Sequence, residues 1–399
     1  MRTKAPAWLL PCLLAIGTTA AQDLKWGGSV RFYQFFRLEG LPESPFTNDR
    51  RDSEFGSFRF TLESRFNPRL KFEAHAVLDF LSPPSFGSSS LATGQSRTYL
   101  PLEHDFTGAS ADYDLVGRFD RLNLQLDFDS FRVVAGRQAV TWGVTYFWPV
   151  MDLFSPFAPQ RVDRDYKEGV DAIRVTVPLG AYSEVQVIAA SLGSSLGDDG
   201  AAAALARLHL GRIDLGLMGG KFHRDTVAGA FLTTGIQGTA YRGEVTWTLS
   251  GDPGDRLIDR RTFFRASLGL DRQLSPKVSL TLEFSYNGFG AGSPSQYALL
   301  AQSDRVQRGE VTALGTFYAG TALTWQLHPL WTLSQAVLVN WQDPSALWVP
   351  TLQWSTSDNS TVILGAQAGF GGEFGADLSL RSEYGPAPAT LFAALQWYF

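Results

Sequence analysis

The sequence predicts an all-β fold, a transmembrane antiparallel up-and-down β-barrel of about 18 strands, with 16 as the alternative. Three observations carry that expectation. Apolar and polar residues alternate with period two from residue 22 to the end, the connections alternate between tight and long, and the last strand ends on aromatic residues at Phe399. In 57–66, Phe58, Phe60, Leu62 and Phe66 share one face while Arg59, Thr61, Glu63 and Arg65 share the other. The next run repeats this, with Leu70, Phe72, Ala74, Ala76, Leu78 and Phe80 opposite Lys71, Glu73, His75 and Asp79. Successive side chains of a strand point to opposite faces, so the pattern asks for one apolar and one wet environment.

Residues 1–21 are expected to be a cleaved export signal, leaving 22–399 as one barrel domain. Arg2 and Lys4 supply a positive start, Trp8 to Ile16 a short apolar run, and Thr19-Ala20-Ala21 a small-residue cleavage site. The run falls short of the roughly 20 apolar residues that a membrane helix needs. The one cysteine, Cys12, lies inside this leader behind Pro11. The mature chain would then have no thiol, which excludes disulfides and thiolate metal sites. With Lys plus Arg at 34 against Asp plus Glu at 39 and no basic block, nucleic acid is not an expected partner.

The same alternation recurs at Leu122, Leu124, Leu126 and Phe128 before the break Asp129-Ser130, and at Val278, Leu280, Leu282, Phe284 and Tyr286. Such runs of about 9–13 residues match a tilted membrane-crossing strand and are long for a soluble sandwich. Tight connections fall at Asn67-Pro68, Asp129-Ser130, near Gly180, at Gly211-Arg212 and at His328-Pro329. Long ones fall at 40–55, 82–112, 141–167, 289–311 and 371–388. An even strand number places both termini on the side of the tight turns. The pair 228–236 and 240–249 has the weakest pattern, because Gly229, Gly235, Gly238 and Gly243 blur it. Trp26, Phe36, Trp247, Trp325, Trp331, Trp348, Trp354 and Trp397 are expected in the interfacial girdles.

The last strand, with Leu391, Ala393, Leu395, Trp397 and Phe399 on one face, resembles the signal read by the bacterial outer-membrane assembly machinery. That resemblance implies Trp397 and Phe399 as the assembly signal and the bacterial outer membrane as the location. The partners implied are outer-membrane lipid and lipopolysaccharide, the assembly machinery and small solutes; an oligomer remains open.

Sixteen to eighteen strands enclose a water-filled lumen, whereas eight are filled by their own side chains. Inward-facing positions include Arg31, Arg37, Arg59, Glu63, Arg65, Lys71, Glu73, Asp79, Asp127, Arg174, Arg242, Glu244, Arg265 and Glu283. Both signs occur. On the first two strands Arg31, Arg37, Arg59 and Arg65 face only Glu63, which suggests a weak preference for anionic or carboxylated solutes unless these charges simply pair across the wall. The segment 141–167 carries Trp148, Phe154 and Phe157 and then Arg161, Arg164 and Lys167. Its apolar residues would be unstable in open water, so it is expected to fold into the lumen as a constriction, to form a lid at the mouth, or to meet a partner.

Gly136-Arg137-Gln138, Trp142-Gly143, Pro149, Asp152-Leu153-Phe154 and Gly169-Val170-Asp171-Ala172 resemble the pattern around one long loop in a porin-like family of Gram-negative outer-membrane β-barrels of undefined substrate. Asn340 to Ser345 with Pro350, and Ser357-Asp358-Asn359, resemble turns of the same group. The resemblance implies a passive channel and names no cargo. The alternative is an exporter or assembly component that passes a polymer such as a polysaccharide with periplasmic partners; mixed charge on the wall counts against it. An enzyme is not expected, since the five histidines are scattered and no Ser lies beside one in a recognisable motif. His75 reads as a wall residue. No metal or cofactor is expected: Asp163 and Asp165, and Asp252 and Asp255, lack calcium-loop spacing. An adhesin or receptor finds no binding signature in the long loops, and no plug segment precedes the first strand.

Overall fold

The structure is a computed structural model that describes residues 23–38, 52–82, 99–107, 113–157, 159, 165–193, 199–251, 262–375 and 379–399. The expected leader and the candidate residues Arg161 and Arg164 lie outside the described residues.

The chain forms β1 (Asp23–Arg37), β2 (Asp52–Asn67), β3 (Leu70–Leu81), a short β4 (Glu103–Asp105), β5 (Asp114–Asp127), β6 (Arg132–Gln138), β7 (Val170–Pro178), β8 (Glu184–Ser191), β9 (Gly200–Leu210) and β10 (Ile213–Phe222). It continues with β11 (Asp225–Ile236), β12 (Thr239–Leu249), β13 (Thr262–Ser275), β14 (Val278–Asn287), β15 (Phe317–His328), β16 (Trp331–Asn340), β17 (Ser345–Ser357), β18 (Ser360–Phe370) and β19 (Thr390–Tyr398). Each long strand pairs antiparallel with the next, and β1 closes on β19 from Ser29 opposite Tyr398 to Arg37 opposite Thr390. The result is a closed barrel of 18 strands, with β4 added to its wall.

The outward positions form an apolar belt that includes Trp26, Phe32, Phe58, Leu124, Ile173, Trp247, Leu268, Phe284 and Leu395, all exposed. Their sequence neighbours Arg31, Arg59 and Asn123 are buried inside. So large an apolar surface on a sheet without edges suits hydrocarbon, where every backbone N–H and C=O must find its partner within the wall. Among the described residues no helix is long and apolar enough to cross a membrane; the strands do the crossing.

The glycine-blurred pair forms a regular hairpin, β11 against β12, from Thr226 opposite Leu249 to Ile236 opposite Thr239. A glycine erases the side-chain signal yet keeps its N–H and C=O for the ladder. Termination of the barrel is also tight: the Phe399 amide donates to the Gly28 carbonyl at 3.1 Å, and the Phe399 main-chain oxygen accepts the Gly28 amide at 3.0 Å. The Phe399 ring lies 5.2 Å from that of Trp397 and 6.5 Å from that of Trp26.

One place in the wall is not a plain ladder. β6 pairs only with Leu122 to Asp127 of β5, then leaves the wall at Gln138. Above it the free edge of β5 is taken by β4, with Glu103 opposite Arg118 and Asp105 opposite Val116. Arg137 stitches the break. Its guanidinium donates to both oxygens of Asp171 at 2.8 and 3.0 Å, to the Phe119 carbonyl at 2.9 Å and to the Leu100 carbonyl at 2.8 Å. Backbone acceptors that have lost their ladder partner are thus satisfied by a side chain. Gly136 (φ +116°) sits at this point, where a Cβ would lie 2.3 Å from the Leu122 carbonyl oxygen.

Candidate functional site

Residues 139–157 and 165–169 run through the barrel interior rather than over its rim. They cover the inner face of β7 to β11, which is apolar toward the outer end: Ala172, Ile188, Ala203, Leu205, Met218 and Phe231 form one buried cluster with Trp142, Met151, Leu153 and Phe154 of the segment. The two candidate aromatics therefore turn into packing. Phe154 is fully buried, edge-on to Trp142 at 4.9 Å and 5.3 Å from Phe222. Trp148 is buried against Tyr318 at 5.4 Å, in a second cluster with Phe147, Leu338, Leu347 and Tyr384. Phe157 is half-buried beside Pro156, Arg265 and Glu310.

Two wall carboxylates hold the segment by its backbone. Glu244 on β12 accepts the amides of Val144, Thr145 and Met151 and the Thr145 hydroxyl. Glu283 on β14 accepts the amides of Tyr146 at 2.7 Å, Phe147 at 3.2 Å and Trp148 at 2.7 Å. Arg242 donates to the Val144 carbonyl at 3.1 Å, and the Ser267 hydroxyl to that of Trp148 at 2.7 Å. A turn whose amides converge on a carboxylate oxygen is an anion nest, and such charge-assisted bonds are about twice as strong as neutral ones. The returning limb is tied down by Lys167, whose ammonium pairs with Asp152 and donates to the Thr141 hydroxyl at 3.0 Å. Arg121 donates to the Lys167 carbonyl, and the Gly169 amide to Asp120 at 3.1 Å.

The opposite wall, β1 to β5, is charged. Arg59 pairs with Asp120 at 2.6 Å, and the Tyr166 ring lies over the guanidiniums of Arg59 and Arg31 at 4.0 and 5.1 Å. Arg118 pairs with Asp79, and Arg121 with Asp120 at 3.0 Å. Arg37 is buried at the outer end of β1, whereas Arg65 is exposed near the inner end of β2. Lys71 pairs with Glu63 at 2.7 Å, and Glu73 receives Asn123 at 3.1 Å and lies 3.3 Å from His75. Glu63, Glu73 and His75 bring possible metal-ligand atoms within 4.8 Å of one another. The ammonium of Lys71 already sits on Glu63, so a cation there must displace it.

The sequence candidates thus divide. Arg31 and Arg59 come together around Tyr166; Glu63, Lys71 and Glu73 form a second group nearer the inner end; Trp148, Phe154 and Lys167 belong to the packing of the segment. Residues not singled out in advance are Asp120, Arg118, Arg121 and Tyr166. A register shift between His75 and Ala76 makes Asp120 the extra residue of a bulge, so Asp120 and Arg121 both turn inward where strict alternation predicts only one.

No protein-family model and no curated protein matches the chain. Solved structures do. The BenF-like porin of Pseudomonas fluorescens superposes with a TM-score of 0.59 at 11% identity, over 96% of this chain and all (100%) of that one. OccAB1 of Acinetobacter baumannii gives 0.59 at 12% identity over 96% and 98%. OpdK of Pseudomonas aeruginosa, crystallised with vanillate, gives 0.57 at 12% identity over 96% and 100%. The chain shares the whole fold of these outer-membrane barrels, from β1 to the closing strand.

Proposed function

We propose that this protein is an outer-membrane channel through which small hydrophilic solutes diffuse down their gradient, with residues 139–157 setting the width of the passage. The observation that supports this most directly is the pinning of that segment across the interior by Glu244 and Glu283. A structural loop would have no need to leave the wall, break the β5–β6 ladder and spend two wall carboxylates on its amides. The segment narrows the lumen toward the β1–β5 wall, where a solute passes Arg31, Arg59, Arg118 and Arg121. Those guanidiniums, although partly paired with Asp79 and Asp120, favour anionic or carboxylated solutes. OpdK, which has the same fold and was crystallised with the carboxylate vanillate, fits this reading. Export by the leader 1–21 and assembly through Trp397 and Phe399 complete it.

Single-channel conductance of the refolded mature chain in a planar bilayer tests the proposal. Stable ohmic steps that grow when residues 144–157 are deleted would support a pore narrowed by this segment. Silence from well-folded protein in both forms would sink it. A reversal potential measured across a salt gradient would show whether anions are preferred.

A further inference from the structure

We infer that the outer end of the lipid-facing wall over β7 to β10 is a binding site for one outer-leaflet lipid with a phosphate-bearing headgroup. Its acyl chain would lie in a groove of small residues, and its phosphate would meet Lys221. The pairing register places Ile173, Ala189, Ala202 and Lys221 in one row across four strands: Ile173 opposite Ala189, Ala189 opposite Ala202, and Ala202 opposite Lys221. All four are exposed on the outward face. In the next row toward the inner end Val187 lies opposite Ala204, Ala204 opposite Gly219 and Gly219 opposite Ala228. The first row lines a groove of about 530 Å³, bordered at its upper end by Tyr99, Lys221 and His223.

Depth fixes what fills it. β7 and β9 begin at the outer rim and β8 and β10 end there, so Ile173, Ala189, Ala202 and Lys221 lie one to three residues below the mouth. The connection from β10 to β11 is the tight turn at 223–224. A concave strip at that height faces acyl chains, and a smooth run of alanine and glycine lets a chain pack along the backbone. Lys221 makes no ion pair among the described residues, while His223 stands 3.6 Å from Asp199. An unpaired ammonium at the hydrocarbon boundary reaches up to the headgroup layer and attracts an anion there. Asp171, the one carboxylate that lines the groove among the described residues, is paired with Arg137. A comparable groove elsewhere on the outer face is walled by Leu268, Phe284, Phe317 and Trp341 and has no cation in its lining. That contrast points to a headgroup with negative charge at Lys221, and to a lipid in preference to a second copy of the chain.

Native mass spectrometry of the full mature protein, delipidated and then mixed with lipid A, tests this, with lipid A stripped of its phosphates as the second probe. The expected result is one retained lipid A. Retention should fall roughly five-fold or more in Lys221→Glu and for the phosphate-free probe, and in Ala202→Trp, which fills the groove. Leu268→Trp on β13 should retain it as the unchanged protein does. Conductance and heat-modifiable gel mobility report that each variant is folded. Equal retention by all variants, or by both probes, would overturn the proposal. So would an Ala202→Trp variant that changes the oligomeric mass and leaves lipid retention as it was, since the strip would then be a subunit interface.

Discussion

The two sides of the barrel interior are built on opposite principles. Against β7 to β11 the inner positions toward the outer end are Ala, Leu, Ile, Met and Phe, sealed from water by Trp142, Met151, Leu153 and Phe154, with Arg174, Gln186 and Arg207 nearer the inner end. Against β1 to β5 they include Arg, Asp, Glu and Lys paired with one another, beside a buried aromatic cluster of Tyr33, Phe35 and Phe55. An apolar inner wall could not stay wetted without cost, and burying it stabilises the fold by about 25 cal/mol for each Å². The segment 139–157 therefore belongs to the wall it covers as much as to the pore it narrows. In the proposed channel a solute is left the charged side, and the asymmetry of the lining follows from that packing.

The strongest way to break this comparison is to remove the pins. In Glu244 and Glu283 both carboxylate oxygens accept amides, whereas a glutamine accepts on one side only and turns an NH2 toward a donor on the other. Hydrogen bonds to charged groups contribute about 1.5–3 kcal/mol each. The Glu244→Gln, Glu283→Gln double variant should therefore release the turn at 144–151, and single-channel steps should become larger and noisier. Unchanged conductance would mean that the apolar cluster alone positions the segment. Next in size is the stitch at the wall break. Arg137→Ala leaves Asp171 and the carbonyls of Phe119 and Leu100 without their donor, and breaking a buried pair costs about 3–5 kcal/mol. The folded band in unheated gels should convert at a clearly lower temperature, while Arg65→Ala, at an exposed position, should leave the transition where it was.

A finer test concerns the charged side. Arg59→Ala removes a guanidinium beside Tyr166 and leaves Asp120 with Arg121 and the Gly169 amide. Anion preference, read as the reversal potential across a salt gradient, should fall by about two- to five-fold, the scale of a kcal/mol or less for a partly screened charge. A preference that does not move would indicate that the arginines of β1, β2 and β5 hold the wall together without steering solutes.

Much of this was legible in advance. Alternation, turn spacing and the aromatic end specify the barrel, because each strand must match its own face to lipid, and that constraint acts residue by residue. Glu244 and Glu283 are readable as inward positions for the same reason. Their role is not, because what they hold is backbone, which leaves no side-chain signature at 144–151. Asp120 escaped notice for a related reason, since a one-residue bulge resets the parity that the reading relies on, and Tyr166 lies outside any strand, where alternation gives no signal. The motifs from Gly136 to Ala172 prove to describe the departure and return of one segment. Gly136 allows the close approach, Arg137 and Asp171 close the wall, Asp152 holds Lys167, and none of them touches an open lumen.

Acidity offers the smallest and most localised way to sharpen the comparison, through two carboxyls in the outer connections. Glu383 accepts the Tyr318 hydroxyl, the Leu314 amide at 3.1 Å and Asn340 at 2.8 Å. Burial pushes it up, those hydrogen bonds oppose the push and Asp343 adds to it, so that it titrates at about 7. Tyr297 and Tyr384 face the same cluster, and Tyr384 packs with Phe147 and Trp148 at the tip of the crossing segment. Glu310 moves the other way: burial would raise it, but Arg308, Arg265 and Arg305 outweigh that and hold it at about 2. An unfolded glutamate titrates near 4.5. Between about 4.5 and 7 the folded chain keeps a proton at Glu383 that the unfolded chain releases, so this stabilisation is complete below that window and is lost as the pH rises through it. Between about 4.5 and 2 the unfolded chain takes up a proton that Glu310 refuses, so stability falls as the pH falls. The outer connections should therefore resist proteolysis best near pH 4.5–5. In Glu383→Gln the loss toward pH 7 should disappear while the acid limb remains. If that variant keeps the alkaline limb, the packed half is not held from above by Glu383, and the tip at Phe147 and Trp148 depends on the wall carboxylates alone.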